Sequence, residues 1–175
     1  MTTDLRYPIG PFESRTTLTA DERRTMIEDI AAAPALLRKA VHDLEDEQLD
    51  TPYRDGGWTV RQVVHHLGDS HLNAYIRLKL ALTEDEPTIK PYDEAAWATL
   101  GDSVSTPITV SVTLLESLHE RWMHVFRAMS AADFARTFRH PDHGAVTLDW
   151  LVAMYSWHSR HHVGHITALR ERRGW

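Results

Sequence analysis

Along four stretches of the chain apolar residues return at steps of three and four, the period of an amphipathic helix rather than the alternation of a half-buried strand. The first stretch opens at Thr19, where Glu22 three residues on completes a capping box, and predicts a helix to about Asp46 with a kink at Pro34. A second begins near Thr59 and places Val60, Val63, Val64, Leu67, Ala74 and Leu78 on one stripe. A third, about Thr109–Met129, carries Leu115, Leu118, Trp122, Val125 and Met129. The last opens at Thr147 and runs to about Arg172, with Arg170, Arg172 and Arg173 suiting its C-terminal dipole before Gly174.

The segments between are short of periodicity. Residues 1–18 contain Pro8, Gly10 and Pro11 and read as an extended arm lying on the domain. Glu47–Gly57 is rich in turn residues, and Thr83–Pro107 holds three prolines with room for one short helix in its YDEAAWATL stretch. Ser130 with Asp133 caps another short helix, and His140–Gly144 (HPDHG) is a turn. No stretch alternates convincingly, so the expected fold is all-α: a four-helix bundle with an N-terminal arm, one domain over residues 1–175.

Composition narrows the function. At 42% hydrophobic and 25% charged, the 175 residues match an ordinary globular domain. With 19 Lys and Arg against 25 Asp and Glu, the net charge of −6 excludes a basic stripe for phosphates, so no nucleic-acid partner is expected. The longest apolar runs, Ile30–Leu37 and Trp150–Trp157, fall far short of the roughly 20 residues that span a bilayer, and the first residues lack the apolar run of an export signal. A soluble cytoplasmic protein with no membrane partner is expected. The chain has no cysteine, so a thiol nucleophile would have to come from outside.

Histidine is in excess, 12 residues in all. In the last helix Leu148, Leu151, Tyr155, His158, His162, His165 and Leu169 follow one another at alternating steps of three and four, which makes one inward seam. Three histidines thus stand where apolar residues belong. His158 and His162 are one turn apart and project to the same side, as two ligands of one ion would, whereas His161 falls off the seam. Burying such rings without partners is costly, and a metal offsets that cost. The bland alternative is a set of core histidines bonded to neighbouring helices.

A third ligand must come from a facing helix, and the second helix offers His65, His66 and His71. The helical wheel leaves the choice open: His71 is central on the apolar stripe, His66 is on its flank and His65 lies well away. Ser159 occupies the place where HExxH metalloproteases keep their general-base Glu, which argues against such a peptidase. His140 and His143 belong to a Pro/Gly turn and read as a polar loop; His42, His119 and His124 have no partner spacing.

The arm YPIG (Tyr7–Gly10), the run LDTPYRDGGWTVRQVVHHLGDSH (Leu49–His71), PYDEAAW (Pro91–Trp97) and WHSRHHVGHI (Trp157–Ile166) together resemble the YfiT branch of the DinB-like superfamily. The resemblance covers nearly the whole chain. It implies a DinB-like four-helix bundle, dimeric, holding one divalent metal ion, zinc or nickel, with three histidines. Transferred position by position, those ligands are His66, His158 and His162, and His165 becomes a pocket residue.

The best-understood members of that branch are bacillithiol S-transferases, and the resemblance implies bacillithiol as the thiol. The first hypothesis is therefore a metal-dependent transferase that conjugates a small-molecule thiol to an electrophile, with His165, Tyr155 or Asp69 orienting the thiol or taking its proton. The second is a metal-dependent hydrolase in which the same open coordination position supplies hydroxide to an amide or ester. The third is a binding module with a structural metal, which would call for a fourth protein ligand; none is evident.

Overall fold

The computed structural model describes residues 4–175, so the first three positions of the expected arm lie outside it. In chain order the helices α1 (Ala20–Ala40), α2 (Asp46–Leu49), α3 (Val60–Thr83), α4 (Glu94–Trp97), α5 (Gly101–Ser105), α6 (Ile108–Ala128) and α7 (Ala131–Phe134) precede a hairpin of β1 (Thr137–His140) and β2 (Gly144–Thr147). The chain ends in α8 (Leu148–Arg173). Three of the four long helices start where a threonine side chain accepts a free backbone N–H: Thr19 for α1, Thr59 for α3 and Thr147 for α8. Glu22 and Gln62 return the bond to the capping backbone and complete two capping boxes.

Besides the short helices α2 and α5, which were not expected in the segments between the long ones, two expectations need correction. The first helix stops at Ala40, six residues before Asp46. Asp43 takes a left-handed conformation, φ 60°, that no helix can pass through. Arg170 of α8 reaches back and donates to the Ala40 and His42 carbonyls at 3.0 and 2.7 Å, holding that end shut. The second correction is the hairpin, where no strand was expected. Its strands are four residues each, paired antiparallel from Thr137 opposite Thr147 to His140 opposite Gly144. Four residues are too few for alternation to register, yet the turn between them is the one predicted, with Gly144 at φ 70°.

The architecture is an all-α four-helix bundle with one small hairpin. α1 packs against α8 and α6, and α3 packs against α6 and α8, closing a ring of four. No helix of the described residues is long and apolar enough to cross a membrane. The arm lies along α8, held by the Gly10 carbonyl to the Trp157 indole at 3.0 Å, the Ser14 hydroxyl to the Trp150 indole at 3.1 Å and the Leu18 N–H to Asp149 at 3.0 Å. Gly164 of α8 allows that approach, because a Cβ there would meet Pro8 at 3.1 Å.

Buried apolar side chains form two clusters. One, around Ile30, Leu78, Trp122, Phe138 and Leu151, fills the hairpin end of the bundle. The other, around Leu37, Val64, Leu67, Leu115 and Ile166, fills the opposite end. At their junction the same helices turn polar: His66 and His71 on α3, His119 on α6, and His158, His162 and His165 on α8.

Candidate metal centre

The seam of α8 sets His158 and His162 one above the other, and α3 brings His66 to face them. The Nε2 atoms of His66 and His158 are 3.2 Å apart, and one ligand nitrogen from each of the three residues lies within 4.8 Å of the others. Metal–imidazole bonds of about 2.0–2.1 Å in a tetrahedron put donor atoms roughly 3.3 Å apart, so the spacing suits a single ion. The His162 Nδ1 is buried with no hydrogen-bond partner among the described residues, a cost that binding of the ring to an ion would offset. The donor set, three imidazoles with no thiolate or carboxylate, matches an open site for a borderline divalent metal.

Burial keeps these rings neutral, the form that binds metal. His66 is pushed down to about 4, chiefly by burial and then by His165. His158 and His162 are held well below the usual imidazole range by burial first, and then by neighbouring rings, chiefly His66 for His158 and His158 for His162.

Behind His158 runs a chain of imidazoles whose protons the geometry fixes. The Ile30 carbonyl can only accept, so His119 donates to it from Nδ1 at 2.8 Å and keeps a lone pair on Nε2. His71 Nδ1 donates to that lone pair at 2.7 Å, and His71 Nε2 in turn accepts from His158 Nδ1 at 3.4 Å. The Nε2 of His158 is left bare, facing His66. One backbone carbonyl of α1 thus sets the tautomer of a candidate ligand three residues away along the chain of rings.

The triad opens into a cavity of about 630 Å³. The arm contributes Arg6 and Tyr7 to its wall, the loop before α3 contributes Tyr53, Arg54 and Trp58, and the far side is made by Arg77, Tyr92, His140 and His143. His165 lies on this wall and stacks on Tyr53 at 4.0 Å between ring centroids. Its Nε2–H donates to the Arg6 carbonyl at 3.1 Å, and its Nδ1 is buried without a partner among the described residues. Tyr155 is also on the wall, its hydroxyl 3.5 Å from the Ser70 hydroxyl, which is itself 3.5 Å from His158 Nε2. Asp69 is not on the wall; half-buried, it is pushed up to about 6 by burial and by Asp102.

The remaining histidines separate cleanly. His65, next to the triad in sequence, is satisfied elsewhere: Nδ1 meets the Ser111 hydroxyl at 2.7 Å and Nε2 the Thr106 carbonyl at 3.0 Å. His161 is off the seam, as expected, but is not a surface residue; it stacks on Trp157 at 4.2 Å and lines the cavity. The HPDHG turn is more than a polar loop, because the hairpin folds His140, with a side chain only 10% exposed, onto the same wall. Ser159 donates to the Tyr155 carbonyl at 2.6 Å and is tied to its own helix. Sequence reasoning passed over Ser70 and Arg77, although they follow His66 at spacings of four and eleven, one face of α3. It also left His119 unassigned, since only the tertiary fold brings α6 to His71.

Comparison with known proteins agrees with this fold. The chain superposes on the structure of YfiT from Bacillus subtilis, provisionally described as a metal-dependent hydrolase with an unusual four-helix bundle topology, with a TM-score of 0.95. That pair is 49% identical, and the match covers 99% of each chain. Two provisionally named metal-dependent hydrolases, from Bacillus cereus strain AH820 and Bacillus anthracis strain A0248, are each 54% identical over 172 residues, spanning 98% of this chain and 99% of the relative. The profile of the DinB superfamily matches residues 29–166, and with the four-helix bundle in agreement the chain belongs to that superfamily.

Proposed function

We propose that this protein is a metal-dependent enzyme that joins a low-molecular-weight thiol to an electrophilic small molecule, using one zinc or nickel ion held by His66, His158 and His162. When bound, such an ion supplies Lewis acidity that lowers the pKa of a ligand thiol or water. The observation that carries the reading is the character of the groups around the triad. The chain has no cysteine. Ser159, in the position of a peptidase base, is spent on a backbone carbonyl. The acidic residues on the wall, Glu94 and Asp142, are exposed.

What the cavity does offer is a neutral imidazole with a free lone pair. Because His165 donates from Nε2 to the Arg6 carbonyl, its buried Nδ1 is available to accept a proton from an incoming thiol. The sulfur then forms its bond to the electrophilic carbon, the leaving group departs with the bonding pair, and the proton stays on His165. Tyr155 and Ser70 place hydroxyls beside His158 that can orient the substrate. The resemblance noted from sequence favours bacillithiol as the thiol and a dimer as the working form.

Hydrolysis of an amide or ester is the second reading, favoured by the names of the relatives. One experiment separates the two. Metal-loaded protein is incubated with a panel of thiols, bacillithiol among them, and a generic electrophile, and products are read by mass spectrometry beside amide and ester probes. Conjugate formed only with metal present supports transfer. Probe cleavage with no conjugate from any thiol replaces it with hydrolysis.

A further inference from the structure

Arg77 and Arg54 differ from the other arginines that the fold draws inward. Both line the metal cavity with an Nε buried without a hydrogen-bond partner among the described residues. Of the two, Arg54 also donates to the Asp55 carbonyl at 2.9 Å. Arg23 is paired with Asp149 at 2.7 Å, and Arg61 with Asp50 at 2.7 Å and Asp46 at 2.8 Å. Arg136 donates to the Ala81 and Glu84 carbonyls, and Arg170 to those of Ala40 and His42. Arg77 is half-buried on the wall of the metal cavity, and among the described residues it has no carboxylate partner. Its Nε is buried with no hydrogen-bond partner among the described residues. Asp142, on the same wall, does not compensate it: that carboxylate is largely exposed and lies 3.8 Å from His140.

A guanidinium partly withdrawn from water whose buried Nε–H has no acceptor is an unfinished ion pair, and its planar fork suits a carboxylate. Its setting reinforces this. Arg77 sits beside the Tyr155 hydroxyl and near the His140 ring, both further hydrogen-bonding groups on that wall. Two hydroxyls, Tyr155 and Ser70, connect this place to His158 by contacts of 3.5 Å each. A small ligand with a metal-seeking group at one end and an anion at the other would therefore bridge the two.

We propose that Arg77 anchors an anion subsite of the metal cavity, which takes the carboxylate of a small ligand whose other end reaches the His66, His158 and His162 donors. The subsite rests on the proposed function only in treating the cavity as the substrate site. It makes the preferred substrate an acid rather than its neutral analogue, and Arg77 a specificity residue.

The test uses zinc-loaded protein and matched thiol probes: mercaptopropionate, its longer homologues up to mercaptohexanoate, and the primary amide of each. Titration calorimetry on wild type should show, at the best-fitting length, at least about tenfold tighter binding of the acid than of its amide. Arg77→Gln should bring the two within about twofold while leaving amide binding and metal content unchanged, and Arg77→Lys should keep part of the preference. Equal binding of acid and amide at every length by wild type, or a preference that survives in Arg77→Gln, overturns the proposal. A second readout needs neither the variant nor a thiol. In metal-free wild type the Arg77 Nε–H resonance should shift on adding hexanoate and not hexanamide, and no shift overturns the proposal. If no thiol binds the zinc-loaded protein, the thiol reading falls, and the Nε–H shift alone decides the subsite.

Discussion

The histidines of the bundle fall into an interior pair and a cavity group that are buried to a similar degree and satisfied to opposite degrees. His71 and His119, at 0% and 2% exposure, form the chain of hydrogen bonds that runs from the Ile30 carbonyl to His158. His161, His162 and His165, at 7%, 8% and 3%, each keep an Nδ1 that is buried with no partner among the described residues. Burial alone therefore does not mark a ligand. The interior pair spends its donors and acceptors on holding one ring in place, whereas the cavity group leaves nitrogens over for something that is not protein.

The largest effect that would test this contrast is the loss of a cavity donor. His162→Ala should lower zinc affinity by about a hundredfold or more, leaving less than a tenth or so of an equivalent after dialysis, measured by elemental analysis. Retention of a full equivalent would erase the distinction between the two groups.

Next in size is the interior pair acting through His158. His119→Leu leaves the His71 Nδ1–H without its acceptor and frees the tautomer of His158. Zinc affinity should fall by about ten- to a hundredfold, as for other outer partners of metal ligands, and folding stability by about 1–3 kcal/mol. Competition with a chromophoric chelator reads the first and urea unfolding the second. A stability loss with unchanged affinity would make the pair structural only.

Acid should act on both groups together. His66 and His119 are each pushed down to about 4, mainly by burial, while the unfolded chain titrates near 6.5. Between those values the unfolded state binds protons that the folded state refuses. The stability these groups contribute is complete above about 6.5 and is lost progressively as the pH falls towards 4. The urea midpoint of metal-free protein should therefore drop between neutral pH and pH 5, and a flat profile would contradict the burial of neutral rings.

The smallest expected change sharpens the contrast within the cavity group. His161→Ala removes a wall residue stacked on Trp157 but no donor of the triad, so zinc affinity should change by no more than about threefold. A loss equal to that of His162→Ala would show that the seam of α8 has been misjudged.

How much of this was legible in the sequence follows from range. Caps and periodicity are local, so the starts of α1, α3, α7 and α8 could be placed at Thr19, Thr59, Ser130 and Thr147, and the seam at steps of three and four already put His158 and His162 on one line. The end of α1 was not legible, because the arginine that closes it comes from 130 residues further on. The hairpin was missed for want of length, and with it the folding of His140 onto the cavity wall. On α3 the periodicity left the choice among His65, His66 and His71 open; the structure explains why both His71 and His66 are buried, one as a link in the imidazole chain and one facing His158 across the cavity. The choice of His66 came from resemblance to a family, not from the wheel.

The most direct measurement is X-ray absorption at the zinc edge of fully loaded protein, on wild type and on His66→Ala. In wild type three imidazole nitrogens should lie about 2.0–2.1 Å from the ion with one exchangeable oxygen ligand, and the variant should lose one imidazole from the shell. An unchanged shell in His66→Ala, or a wild-type shell with fewer than two imidazoles, would place the ion elsewhere and contradict a centre built from His66, His158 and His162.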